Sequence, residues 1–386
     1  MSRVENPYRP GFNEPPGELA GREDVLEDLG EAIEVAALDR RTPRPTLLAG
    51  TRGVGKTVML GQAGAIAGER FGWPRVHVET RPNTAFAPDL IDAATRAREL
   101  IEQPAAKRSL RAESLTLRAG LAGVGGEVRF ARASDGRPDL DPAPALRSAL
   151  VSLVAIAVER DSGFVLTLDE AHLATRSELA ALAALLQEGT GERWPMVVVI
   201  AGLAQMRSPE RSVTYLERGN WHELGLLGRD DAMRALQRPA AAAGRPMDED
   251  AAALLAHASG GYPYAIQLYG HHAWRASAEH ERIDRAAAEA ALPRAARELA
   301  RGLYAARWTA ASPAQRDYLA AVAELGKDGK AVTGRSVAEQ LGRAPKQLSS
   351  VRDDLIKAGT LTAEAQELRF TIPGMGDYVL GQERHR

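Results

Sequence analysis

Short apolar runs alternate with amphipathic stretches through the first part of the chain. Pro45-Thr46-Leu47-Leu48-Ala49 predicts a short buried strand, and Val58-Met59-Leu60 through Ala67 predicts a helix with an apolar stripe. Ahead of them, Gly21-Arg22-Glu23-Asp24 opens an amphipathic helix carrying Val25, Leu26, Leu29, Ile33, Ala36 and Leu38 on one side. Further strands are expected at 76–80, 164–168 and 196–201, with a weaker one at 222–226 and a helix over 88–103. Apolar strands separated by helices predict a parallel sheet covered on both faces, an α/β fold.

Four other stretches break that rhythm. Residues 1–17 hold Pro7, Pro10, Pro15 and Pro16 and read as an extended arm that does not pack. Ser114-Leu115-Thr116-Leu117-Arg118-Ala119 and Gly126-Glu127-Val128-Arg129-Phe130-Ala131 alternate with period two, predicting a hairpin insertion at about 110–135. That hairpin is either surface decoration or a contact ribbon for a partner subunit or DNA. From Asp230 to about Ala306 the pattern is helical, broken by Gly260-Gly261-Tyr262-Pro263. A final block, 312–386, predicts helices at 313–325, 334–341 and 345–358, then paired strands at 361–362 and 368–372, a helix-turn-helix plus a wing. The expected division is therefore an arm (1–17), a core (18–229), a helical lid (230–306) and a winged helix (312–386).

Composition narrows the chemistry. A length of 386 residues predicts more than one domain, with ordinary hydrophobic (45%) and charged (26%) content. A net charge of −2 restricts any nucleic-acid contact to a local patch. With no cysteine there is no disulfide, thiolate metal site or cysteine nucleophile. The sequence shows neither a signal-peptide core at its start nor an apolar run of membrane-spanning length, so a cytoplasmic protein with no membrane partner is expected.

The chemistry centres on Gly50-Thr51-Arg52-Gly53-Val54-Gly55-Lys56-Thr57, which fits G-x-x-x-x-G-K-[ST] without a mismatch, between a strand and a helix. Backbone N–H groups from Gly50 to Val58 would wrap a phosphate at the helix N-terminus. Lys56 would reach the β/γ-phosphates, and the Thr57 hydroxyl would join a Mg²⁺ shell. Leu168-Asp169-Glu170 ends an apolar strand at the same sheet edge; Asp169 would hold Mg²⁺ through water, and Glu170 would orient and deprotonate the attacking water. ATP and Mg²⁺ are thus the expected ligands. His172 reads as a helix-start residue beside the site or as a γ-phosphate sensor. Strand four ends at Gly202, which offers no polar side chain to a phosphate. Among Arg207, Arg211 and Arg218, Arg218 is the choice for a charge-stabilising finger shared between subunits.

With these residues in hand, the chain resembles the AAA+/STAND-type P-loop ATPases of the archaeal-ATPase and Orc1/Cdc6-like group. Asn6-Pro7-Tyr8-Arg9-Pro10-Gly11 and Leu19-Ala20-Gly21-Arg22-Glu23 are similar to that group's arm and box. The resemblance implies that Tyr8, Gly21 and Arg22 contact adenine, with Pro263 of the Gly-x-Pro lid signature beside the nucleotide. The phosphate loop and Asp169-Glu170 match its Walker A and B motifs, and the terminal block resembles its winged helix. Pro263-Tyr264 stands where many AAA+ members place a sensor arginine, which implies slow hydrolysis, a switch more than a motor. On the helix at 345–358, Lys346, Gln347, Ser349 and Arg352 form the face that would meet double-stranded DNA, against which Asp353 and Asp354 follow at once. Two functions stay open: an ATPase switch controlling DNA engagement or ATP-dependent self-assembly, and a nucleotide-bound scaffold for a protein partner with little turnover.

Overall fold

The structure, a computed structural model, describes residues 5–11, 15–103, 143–207, 213–364 and 366–384. The hairpin expected at 110–135 and Arg211 lie outside these residues. The apolar runs form β1 (Thr46–Gly50), β2 (Arg75–Glu79), β3 (Phe164–Asp169), β4 (Met196–Gly202) and β5 (Asn220–Leu224). All neighbours pair in parallel, in the order β2-β3-β4-β1-β5. Every residue of β1, β3 and β4 is buried, as continuous Val/Ile/Leu runs in a doubly covered sheet demand. The fifth strand starts and ends two residues earlier than its apolar pattern suggests. At the sheet edge only Leu224 needs burial, so Leu226 falls outside the strand, 46% exposed.

Helices α1 (Glu23–Ala37) and α2 (Lys56–Phe71) cover one face; Leu29, Ile33, Leu48, Leu60 and Val199 share that apolar layer. Helices α3 (Ala87–Glu102), α4 (Ala143–Glu159) and α5 (Arg176–Glu192) cover the other. Leu38 departs from the expected stripe. It is the C-cap of α1, past the last buried turn, and 68% exposed. Buried Glu178 accepts bonds from the Phe86 (2.8 Å) and Thr175 (3.1 Å) amides, tying the starts of α3 and α5 together. A buried carboxylate satisfied by two amides costs far less than an unpaired one.

The helical stretch that follows comprises α6 (Arg229–Ala242), α7 (Glu249–Ser259), α8 (Pro263–Ala276), α9 (Arg285–Leu299), a π-helical turn (Ala300–Tyr304) and α10 (Ala305–Ala310). The C-terminal block holds α11 (Pro313–Gly326), α12 (Gly334–Gln340), α13 (Pro345–Lys357), the antiparallel pair β6 (Leu361–Glu364) and β7 (Glu367–Phe370), and an unanticipated α14 (Met375–Glu383). A bridge from Thr333 to Glu367 adds a third short pairing. One apolar cluster runs through both parts, from Leu236 and Leu255 to Tyr318 and Val379. Among the described residues no helix is long and apolar enough to cross a membrane.

The arm is packed, contrary to expectation. Tyr8 is 1% exposed against Gly270 of α8, where only a glycine leaves room for the ring. Its hydroxyl donates to the Leu236 carbonyl. Asn6 bonds His271 (3.0 Å), and the Arg9 amide donates to Gln267 (3.1 Å), so polar arm residues pin the segment along α8.

Candidate nucleotide site

The loop between β1 and α2 stands at the C-terminal edge of the sheet, where parallel strands deliver their last residues to one crevice. Gly55 caps α2 with φ 98°, and Gly53 has φ 79°, conformations that side chains disfavour. At Gly53 space forbids a side chain as well: a Cβ would lie 1.9 Å from the Tyr262 hydroxyl oxygen. Lys56 is buried, with its ammonium donating to the carbonyls of Gly50 (3.0 Å) and Thr51 (2.7 Å). Burial pushes its pKa down, opposed by the charges of Glu170 and Asp169. Even so it is the cation aimed into the loop.

Thr57 donates its hydroxyl to Asp169 Oδ2 at 2.6 Å, joining the first turn of α2 to the end of β3. Asp169 is 3% exposed, and its Oδ1 accepts the Glu170 amide at 2.8 Å. The pair Thr57–Asp169 is an all-oxygen set of the kind Mg²⁺ takes alongside waters and phosphates. These residues fit that ion. Glu170 adopts the left-handed region, φ 50°, which turns its carboxylate out of the strand. Burial raises its pKa first; Lys56 pulls it down, Asp169 pushes it up, and Arg52 pulls it down again. His172, 2% exposed in a short 3-10 turn, sits with Nδ1 3.3 Å from Glu170 Oε2.

Gly202 cannot be given a polar side chain cheaply. A Cβ there would lie 2.1 Å from the Met206 sulfur. Around the loop, Arg22 donates to the carbonyls of Val54 (3.2 Å) and Gly225 (2.6 Å), bracing the loop against the chain leaving β5. Gly21 lies against Asp231 and Leu227 at the entry to α6. Pro263 opens α8, preceded by Tyr262, whose hydroxyl donates to the Arg52 carbonyl at 3.3 Å.

Not every expected residue gathers here. The Tyr8 ring is enclosed by the helical stretch and has no face left for a base; the adenine contact expected of it is corrected, because its phenol fills the gap beside Gly270. Arg218 is exposed two residues before β5. The register sets Asn220 beside Thr46 and Leu224 beside Gly50, so Arg218 stands roughly 20 Å of strand from its own loop. Arg207 stacks over Trp221 at 4.7 Å. On α13, Lys346 is exposed, but Gln347 accepts the Ala344 amide (3.1 Å), Ser349 donates to the Lys346 carbonyl (2.9 Å), and Arg352 pairs with Asp353 (2.9 Å). Tyr262 and Arg307 are site neighbours that motif reading missed. The Gly-Gly-x-Pro break before α8 was the signal for Tyr262, and nothing local marked Arg307.

A phosphate-wrapping loop, a helix start, a buried lysine and a Thr–Asp pair at one sheet edge define a P-loop nucleotide-binding protein. Residues 18–199 match the family model described as AAA ATPase domain, and this segment of the chain is a P-loop ATPase domain of that kind. Residues 301–379 match a domain of unknown function, DUF8462. Among solved structures, a Walker-type ATPase of Pyrococcus abyssi is similar at TM-score 0.60 and 17% identity, over 94% of this chain and 96% of that one. Cdc6p of Pyrobaculum aerophilum (TM-score 0.49, 17% identity, 98% of each chain) is similar too. So is RuvB of Thermotoga maritima (TM-score 0.49, 17% identity, 99% and 98%). A comparison with curated proteins finds no match.

Proposed function

We propose that this protein is a nucleotide-driven switch, in which ATP binding and slow hydrolysis at the phosphate loop control how the C-terminal block engages DNA or partner subunits. One observation carries the reading: the turn after α13 rests on the phosphate loop itself. A Cβ on Gly359 would lie 3.8 Å from the Arg52 side chain and 3.8 Å from Leu203, the residue after β4. A change in charge or shape at the loop is therefore felt by the block directly.

In the reaction, Lys56 and the loop amides position the phosphates, while Thr57 and Asp169 would hold Mg²⁺. Bound Mg²⁺ would neutralise charge on the phosphate oxygens. Glu170 accepts the proton of the attacking water; its left-handed backbone and the Asp169–amide bond fix the direction of its carboxylate. Arg22, with Gly21 and Pro263, lines the rim where the base would lie. Arg218, at the far edge of its own sheet, is suited to complete a neighbour's site, which makes a homo-oligomer the catalytic form. The packing at Gly202, which leaves no polar group there, favours the second reading of a nucleotide-bound scaffold with little turnover.

Light scattering with and without ATP and duplex DNA tests the proposal: ATP should raise the mass, and a passive scaffold would show one mass throughout. If α13 binds DNA, affinity should fall steeply with salt, and Lys346→Ala with Arg352→Ala should flatten the slope by about one to two charges. Since Arg352 is already paired with Asp353, Lys346→Ala alone should account for most of that change.

A further inference from the structure

One face of the sheet is covered unevenly. Helices α3, α4 and α5 share an apolar cluster with β2, β3 and β4, whereas over β1 and β5 the same face meets the single helical turn Thr214–Glu217. A turn that short leaves space beside it, a cavity of about 430 Å³. Leu47 and Trp221, register partners on β1 and β5, line its sheet side, and Val213 and Leu216 line the side of the turn. Leu47 belongs to this layer and Leu48 to the layer under α2, so the cavity and α2 lie on opposite faces of β1. Its volume falls within the range of roughly 300–1,000 Å³ that small-molecule sites occupy.

Polar groups in the lining are few and set apart. His172, buried, lines the inner end, and its Nδ1 lies 3.3 Å from Glu170 Oε2. Arg207, exposed, stands at the mouth with its guanidinium over the Trp221 ring at 4.7 Å. Among the described residues no carboxylate comes within ion-pair distance of Arg207, and Glu217, the other charged residue of the lining, has a partner of its own. Stacking uses the face of a guanidinium and leaves its in-plane N–H fork for a carboxylate. If the stack served only to shield the indole, side chains would fill the space beside it, because unfilled apolar volume forfeits packing. An apolar interior with one forked cation at its mouth is the complement of a hydrocarbon body that carries a carboxylate.

We propose that this cavity binds a small ring-bearing carboxylate, an aromatic or alicyclic acid, with its ring among Leu47, Val213, Leu216 and Trp221 and its carboxylate on the Arg207 fork. A ring suits the space because the pleated sheet on one side and the helical turn on the other form a slot. The occupant also meets His172, whose ring separates the cavity from Glu170. Filling the cavity therefore changes the setting of the carboxylate assigned to the attacking water. The binding itself stands apart from the nucleotide reading; the effect on turnover rests on it.

The test titrates 2-naphthoate and its neutral counterpart 2-naphthylmethanol into the nucleotide-free full chain, followed by ligand-observed NMR. Naphthoate should bind the more tightly. Val213→Phe, which fills the cavity, should weaken both probes about 10-fold or more, and Leu216→Trp repeats that arm if Val213→Phe fails to fold. Arg207→Gln should weaken naphthoate about 10-fold, the loss of one charge-assisted pair, and leave naphthylmethanol within about threefold. With MgATP, saturating naphthoate should change phosphate release at least about threefold in the wild type and leave Val213→Phe unaffected. No naphthoate binding up to about 1 mM, binding that survives the filling variants, or equal losses of both probes in Arg207→Gln would overturn the proposal. Binding as expected with phosphate release unchanged would overturn the link to Glu170. A chain that releases no phosphate even without naphthoate would instead overturn the nucleotide reading, and the binding results would stand.

Discussion

Glu170→Gln binds ATP as the wild type does but releases phosphate at least about 10²- to 10⁴-fold more slowly, the range for loss of a positioned general base. Glutamine fills the same space and keeps the left-handed turn at φ 50°, so the loss falls on proton transfer and leaves the binding loop alone. The same change should stabilise the protein. Burial raises the folded pKa of Glu170, so the folded state holds that proton more tightly than the unfolded chain does. The resulting stabilisation is complete below the unfolded carboxylate range and is lost as pH rises through the raised folded value. Near neutral pH the ionised carboxylate is a cost that glutamine lacks. The variant should therefore melt above the wild type there, and the gap should close on acidification. Wild-type hydrolysis should rise with pH through the same window, with Lys56, Asp169, Arg52 and Glu79 as the charges facing the titrating group and the His172 ring 3.3 Å from it. Unchanged turnover in the variant would remove Glu170 from its role.

Lys56→Ala carries the second large effect. The ammonium is buried between the Gly50 and Thr51 carbonyls and is the cation facing both Asp169 and Glu170. Without it, ATP affinity should fall about 100-fold or more, since several charge-assisted bonds to phosphate go at once. The two carboxylates then lose the one cation that faces them both, with Arg52 still acting on Glu170 and Arg75 on Asp169, so the variant should also lose stability near neutral pH and recover part of it in acid. Equilibrium titration with ATP, paired with melting curves at two pH values, checks both halves. Affinity within about threefold of wild type would mean the loop is not where phosphate binds.

Much of this was legible in the residues, for identifiable reasons. Strands β1, β3 and β4 are buried on both faces, which forces unbroken apolar runs, and their ends carry Gly50, Asp169 and Gly202 to one edge. The loop pattern gave the positions of Lys56 and Thr57, and the apolar strand ahead of Asp169 gave its partner. The edge strand β5 was misplaced by two residues because an edge has little to bury. Tyr8 was misjudged because prolines around it suggested an unpacked arm, whereas the pocket beside Gly270 lies far away in sequence. Arg307 was invisible for the same reason. Nothing local marks an arginine whose neighbours are Arg52, Tyr262 and Gly359, brought together only by the packing of three segments. In the same way, the pairing of Arg352 with Asp353 changes the charge of a helix face that periodicity alone makes basic.

The central claim is that nucleotide state repositions the C-terminal block relative to the phosphate loop. The chain contains no cysteine, so a pair of spin labels can be placed cleanly through Glu69→Cys on α2 and Arg343→Cys before α13, both exposed. Distances between them should be measured in the Glu170→Gln protein without nucleotide, with MgADP and with MgATP. The account predicts that MgATP shifts or broadens the distribution while MgADP leaves it close to the nucleotide-free one. Superimposable distributions in all three states, with ATP binding verified in the same samples, would contradict it.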